Sequence, residues 1–199
     1  MFTPPSFQEL MKEGGFFMDI YTIGHSTHSE EEFLKMLHVA NIDFLIDVRA
    51  FPGSRKFLFH KDRMSNWLPE SGIAYSHMKG LGGHRNKSKT IDNEVNNAWE
   101  NRSFHNYADY TLEEGFQTGL EKLREIAKNN SIAYCCSERH PARCRCHRLL
   151  ISNWLSLNGW TVHHILDGPK GNTKIEEHIP GQWGAPPVLN KDGTVIYPK

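Results

Sequence analysis

The sequence predicts an α/β fold: a single Rossmann-like domain with a mainly parallel sheet, helices on both faces and a small C-terminal extension. Three observations carry this expectation. Short runs rich in β-branched and aromatic residues recur along the chain: "IYTIG", "DFLIDVRA", "IAYSHMKGLGG", "SIAYCCS" and "WTVHHIL". Segments with apolar residues at helical spacing separate them. The middle of "DFLIDVRA" is almost continuously apolar, as a parallel strand covered on both faces requires.

The elements follow in order. Residues 1–17 read as an N-terminal appendage carrying Pro4-Pro5 and Gly14-Gly15, and the α/β domain spans 18–168. After the first strand, Ser29 and Glu32 form a capping box ahead of Phe33, Met36, Leu37 and Ala40, which fall on one helical face. A second helix is expected over 60–71, ending near Ser71-Gly72. Residues 84–111 are polar with interspersed aromatics Trp99, Phe104, Tyr107 and Tyr110, and no element is predicted there. Phe116, Leu120, Leu123 and Ala127 form a stripe that marks a helix over 112–128. "CHRLLISNWLSLNG" is a helix with Leu150, Trp154 and Leu157 on one face and a stop at Asn158-Gly159. Residues 169–199 form a Gly/Pro-rich extension in which "VLNKDGTVIY" reads as a hairpin turning at Asp192-Gly193.

Bulk properties narrow the function classes. Formal net charge is zero with 12 histidines, which excludes a globally basic nucleic-acid coat; polyanion binding must come from local patches. No run of about 18 apolar residues occurs, so no membrane partner is expected. The first residues lack the pattern of a secretory signal. All four cysteines crowd between Cys135 and Cys146, poorly placed for a disulfide framework, so a cytoplasmic location with reduced thiols is expected.

In parallel sheets ligands gather at the carboxyl ends of the strands. That rule brings four polar groups to one edge: Gly24-His25-Ser26, Asp47-Val48-Arg49, Gly80–Gly83 and Ser137-Glu138. His25 is a candidate acid or base and Ser26 a phosphate or substrate donor; the alternative is an ordinary helix-entry loop. Asp47 and Arg49 project from the same side of a strand, where the cation holds the carboxylate charged and suited to orienting rather than proton transfer. Arg55 follows a Pro-Gly turn and can reach an anion. Tyr107 and Tyr110 are candidate stacking surfaces for a base, against a plain packing role.

The stretch "CCSERHPARCRCHR", from Cys135 to Arg148, is the richest in chemistry. It lacks the Cys-x5-Arg spacing of a tyrosine phosphatase, since six residues after Cys135 and Cys136 stand Pro141 and Ala142. No cofactor is predicted. Zinc held by Cys136, Cys144, Cys146 and His147 is the alternative, although adjacent residues such as Cys146 and His147 diverge by about 100° on a helix. An anion pocket fits best: a strand leads into a helix start with free N–H donors, and Arg139, Arg143, Arg145 and Arg148 supply charge. Glu138 and His147 join the catalytic candidates; Cys136, Cys146 and Arg148 join the binding candidates.

Five ordered blocks, "YTIGHSTHSEEEF", "IDVRAFPGSRKF", "GIAYSHMKGLGG", "FHNYADY…GFQTGLEKL" and "CCSERHPARCRCHRLLISNWL", together resemble the family called domain of unknown function 488 over residues 19–168. That family's pattern is similar to Cys-x-Glu-x-x-Pro-x-x-Cys-His-Arg. Cys136, Glu138 and Pro141 match its start, and Cys146, His147 and Arg148 match its end. Two extra residues intervene, so either Cys144 or Cys146 fills the family position. The resemblance implies a Rossmann-like α/β sandwich. A DNA-repair label on some members tilts the expected substrate toward nucleic acid or nucleotide. The expected function is therefore an enzyme acting on a nucleotide or nucleic acid by hydrolysis or group transfer. A thiol-dependent enzyme and a non-catalytic module binding nucleotide or single-stranded nucleic acid are the alternatives. The oligomeric state is not specified.

Overall fold

The computed structural model describes residues 18–53, 56–141, 144 and 148–199. The predicted appendage at 1–17 lies outside them. The chain runs β1 (Met18–Gly24), α1 (Glu30–Val39), β2 (Phe44–Asp47), α2 (Lys61–Glu70), β3 (Ala74–His77), α3 (Arg102–Thr111) and α4 (Glu114–Ala127). It continues through β4 (Ile132–Cys136), α5 (Arg148–Leu157), β5 (Trp160–Asp167), β6 (Thr173–Glu177), β7 (Val188–Leu189) and β8 (Val195–Ile196). The main sheet has the order β3-β2-β4-β1-β5-β6. β1 to β5 are parallel, and β6 joins antiparallel at the edge. This is the Rossmann-like α/β domain with a C-terminal extension that the strand–helix alternation predicts.

Alternate residues of each central strand feed opposite faces. Along β4, Ala133 and Cys135 pack with Phe33 and Leu37 of α1 and with Trp67 and Leu68 of α2. Ile132, Tyr134 and Cys136 face the other way, toward Leu120 and Leu123 of α4 and Leu150 and Trp154 of α5. Burial on both sides explains why β2 and β4 carry almost no polar residues until their carboxyl ends. The Ser29–Glu32 capping box forms: Glu32 N donates to Ser29 Oγ at 3.2 Å, and Ser29 N to Glu32 Oε2 at 2.7 Å.

Two elements exceed the sequence expectation. α3 sits inside the segment read only as polar; the Asn101 side chain caps it by accepting from Ser103 N, and Tyr107, Ala108 and Thr111 face inward. β6, "TKIEE", is too short and charged to signal a strand. It forms because β5 offers an unpaired edge, and its lysine and glutamates keep that edge from recruiting other chains. The expected hairpin appears as β7–β8, with Gly193 at φ 85° in its turn. The end of the extension is sewn into the core. Tyr197 is buried, its N–H donates to Asn96 Oδ1 at 3.0 Å, and its carbonyl accepts from Ala98 N.

Between α5 and the extension runs a buried polar chain. Asn153 Nδ2 donates to the Tyr197 hydroxyl at 3.1 Å, and Asn153 Oδ1 accepts from His178 Nε2 at 2.9 Å. His178 Nδ1 then accepts from His164 Nε2 at 3.0 Å. Burial, and then the charge of Arg148, pushes His164 down to about 2, and burial pushes His178 down to about 4. Both rings stay neutral when folded but take a proton near pH 6.5 when unfolded. Their contribution is complete above that value and is lost as pH falls toward the folded values. Urea unfolding at pH 7 and pH 5 should show a loss of up to about 1.4 kcal/mol per pH unit for each histidine. The His178→Asn variant should show a shallower slope.

Candidate functional site

The carboxyl edge of the sheet is built by close backbone approach. A Cβ on Gly24 would lie 1.8 Å from the Glu138 carbonyl oxygen, so glycine is the residue that lets the ends of β1 and β4 touch. Past the strands, His25 N donates to Cys136 O at 3.0 Å and Ser26 N to Ser137 O at 2.9 Å. His25 and Ser26 are thus held beside Ser137 and Glu138. Ser26 adopts φ 43° and His84 φ 67°, left-handed backbone that non-glycine residues take up at a cost of order 1 kcal/mol.

Asp47 and Arg49 form the centre of this edge, both almost fully buried. Asp47 Oδ1 accepts from Arg49 N at 3.1 Å and Arg49 Nε at 2.8 Å. Asp47 Oδ2 accepts from Arg49 Nη2 at 2.6 Å and the Tyr75 hydroxyl at 2.9 Å. Arg49 Nη2 also reaches the Phe59 carbonyl at 2.9 Å, and Nη1 donates to His25 Nε2 at 3.0 Å. A guanidinium has no acceptor, so His25 Nε2 carries a lone pair and its proton sits on Nδ1, which faces the Ser26 carbonyl at 3.3 Å. The His25 ring stacks on Phe59 with centroids 4.4 Å apart. Burial opposes the charge on Arg49, but the hydrogen bonds and charge of Asp47 outweigh it and hold the guanidinium more firmly protonated than usual. Burial, then Asp47, pushes the Tyr75 hydroxyl well above its ordinary range, so it remains a donor. Four donors thus meet the two oxygens of Asp47.

Beside this centre opens a cleft of about 200 Å³ lined by Arg49, Ala50, Phe51, Gly53, Gly83, His84 and Ser137. Phe51 is 68% exposed and meets the His84 ring edge-on at 5.5 Å. Gly82 lets the two loops close on each other, since a Cβ there would stand 2.7 Å from the Ala50 backbone. Farther along the same loop, Phe57 is 63% exposed, with the Arg63 guanidinium 5.0 Å from its centroid. Lys56 anchors the loop to the Thr27 and His28 carbonyls.

The predicted residues separate into groups. His25, Ser26, Asp47 and Arg49 converge with Ser137, and half-buried Glu138 follows directly on β4. Its carboxylate has no hydrogen-bond or ion-pair partner among the described residues. Tyr107 is corrected. Tyr107 is fully buried with its hydroxyl on the Leu81 carbonyl at 2.6 Å, which leaves no face for a base. Tyr110 donates to the Gly80 carbonyl at 2.7 Å, carries the Arg85 guanidinium over one ring face at 3.6 Å from its centroid, and lines a separate hollow with His84 and Glu113. Both brace the loop after β3. Cys136 is buried with its Sγ 2.7 Å from Cys144 Sγ, away from the cleft lining. Arg148 is also fully buried. Arg55, Cys146 and His147 lie outside the described residues, and so does half of the alternative zinc set. Among the described residues no three His, Cys, Asp or Glu side chains gather as metal ligands. No described helix is long and apolar enough to cross a membrane.

Ser137 lies at the edge where the strand-end rule sets it, whereas Phe51 and His84 are cleft residues that no motif in the sequence singles out. Phe51 had a signal: a large aromatic two residues after Arg49, immediately before Pro52-Gly53, stands where a strand has ended and a turn has begun.

A family model described as domain of unknown function DUF488 matches residues 29–155. No curated protein and no solved structure matches the chain.

The Asp47–Arg49 centre makes a stability prediction. Asp47→Ala leaves a buried guanidinium without its counter-charge and should cost about 3–5 kcal/mol. Tyr75→Phe removes one of four donors and should cost about 1 kcal/mol. Equilibrium denaturation of the two variants measures the contrast.

Proposed function

The chain belongs to the DUF488 family, and from that premise we propose that it binds a nucleotide or a short single-stranded nucleic acid in the Arg49–Phe51–His84–Ser137 cleft and acts on it by hydrolysis or group transfer. The observation that carries this reading is Phe51. A phenylalanine left 68% exposed at the lip of this cleft forgoes the burial such a side chain normally gains. A flat aromatic beside cationic groups is the surface on which a base stacks, worth about 1–3 kcal/mol per base. Phe57 beneath Arg63 continues the same pattern along the loop.

The anionic part of the ligand has fewer donors to meet. Four of the five guanidinium hydrogens of Arg49 are engaged by Asp47, His25 and Phe59, leaving one on Nη1. Arg49 thus acts mainly as a fixed positive floor. Glu138 is the acid–base candidate, because Asp47 is saturated and the Nε2 lone pair of His25 is taken by Arg49. The same saturation favours a second reading, a non-catalytic binding module.

Fluorescence anisotropy with labelled mononucleotides and short oligonucleotides checks the binding claim. Phe51→Ala should weaken affinity by roughly 5- to 150-fold, the equivalent of one lost stacking contact, and Phe51→Trp should keep it. Glu138→Gln should bind within about twofold of wild type. If the chain is an enzyme that variant loses turnover; wild-type binding without turnover selects the module. Equal affinity for Phe51→Ala and wild type would remove the basis of both readings.

A further inference from the structure

Arg148 opens α5 and is fully buried. Its Nη2 donates to the Arg139 carbonyl at 3.1 Å, while Nε and Nη1 meet no acceptor among the described residues. A guanidinium stays charged inside a protein, and a charge out of water without a counter-charge is costly. The carboxylates that pair with arginines are engaged elsewhere, Asp47 with Arg49 and Asp167 with Arg139.

A second orphan lies on the same face of the sheet. His164 on β5 stands beside Thr22, which stands beside Tyr134 on β4. The Tyr134 hydroxyl is 2.6 Å from Ser152 Oγ, which donates to the Arg148 carbonyl at 2.8 Å. These contacts place the start of α5 over Tyr134 and its neighbour across β1. After burial, the charge of Arg148 is the largest influence lowering the proton affinity of His164, as nearby groups require. His164 uses Nε2–H on His178, so Nδ1 carries a lone pair, and that atom meets no donor among the described residues. Helical side chains lean toward the N-terminus, which sets the Arg148 guanidinium ahead of the first turn of α5, at the positive end of the helix. Trp183 covers His164 with ring centroids 5.1 Å apart.

Buried donors on a cation and a buried lone pair on a fixed tautomer ask for one complementary partner. We propose that Arg148 and His164 hold a small, singly protonated oxyanion of the hydrogen-phosphate type in an occluded site beneath the start of α5. The unprotonated oxygens accept from Nε and Nη1 of Arg148, and the P–OH group donates to His164 Nδ1. A fully ionised tetrahedral anion such as sulfate meets Arg148 but sets a lone pair against that of His164. Full burial of both side chains selects a free anion over a phosphate attached to a larger molecule. Neither residue lines the Phe51 cleft, so the site goes beyond the nucleotide reading and does not depend on it.

Thermal unfolding of the full chain, dialysed free of phosphate, tests the site with inorganic phosphate and with sulfate at matched ionic strength. Phosphate should raise Tm saturably, by roughly 5–10 °C at a hundredfold excess over Kd, and clearly beyond sulfate. Arg148→Met should abolish the phosphate-dependent rise. His164→Leu should equalise phosphate and sulfate, and it keeps the test decisive if Arg148→Met folds poorly. Phe51→Ala should retain the phosphate response while losing nucleotide affinity, which separates failure of this site from failure of the cleft. A wild-type response equal for the two anions, a rise that survives in Arg148→Met, or one lost in Phe51→Ala would overturn the assignment.

Discussion

A carboxylate taken fully out of water has to be met by donors on every side, and Asp47 is. Its two oxygens collect the backbone and side chain of Arg49 and the hydroxyl of Tyr75. Arg49 passes the arrangement on to His25 and the Phe59 carbonyl. One ion pair therefore ties the ends of β1, β2 and β3 to the loop before α2. His77 adds a further tie, its Nε2 donating to the Arg49 carbonyl at 2.8 Å. The charge is satisfied internally, and the loops that carry the exposed aromatics are hung on the pair.

That division organises the rest of the molecule. Glycines at 24 and 82 allow backbones to meet where any side chain would collide, so the polar strand ends close into one edge. Phe51 and Phe57 remain exposed, outside the core that Phe33, Phe59 and Phe116 join. Where α5 packs on the sheet lies a buried polar layer of Tyr134, Ser152, His164, His178 and Asn153. Most of that layer is internally bonded, which makes the unmatched atoms of Arg148 and His164 stand out chemically.

Much of the fold is legible in the linear sequence because parallel strands buried on both faces must be apolar, and amphipathic helices must repeat. "DFLIDV" and "SIAYCC" leave no other comfortable home, and the Ser29–Glu32 capping box marks its helix to the residue. β6 was not legible, since "TKIEE" becomes a strand only when β5 presents an edge to it. α3 was obscured because its apolar face is carried by tyrosine, alanine and threonine within an otherwise polar segment.

By itself, then, the sequence determined the alternation of strands and helices, the gathering of His25, Asp47, Arg49 and Glu138 at one edge, and the absence of a global basic coat. Local pattern suffices for these, because hydrophobic period depends on near neighbours and a strand–helix alternation sends the carboxyl ends of parallel strands to one edge. Only the tertiary structure decided which polar groups are spent on one another and which keep atoms without a partner among the described residues. Tyr107 and Phe51 are both aromatic residues in polar surroundings, yet one is sealed against the Leu81 carbonyl and the other faces solvent. Exposure and hydrogen-bond saturation are properties of contacts between distant segments, and no spacing along the chain encodes them directly.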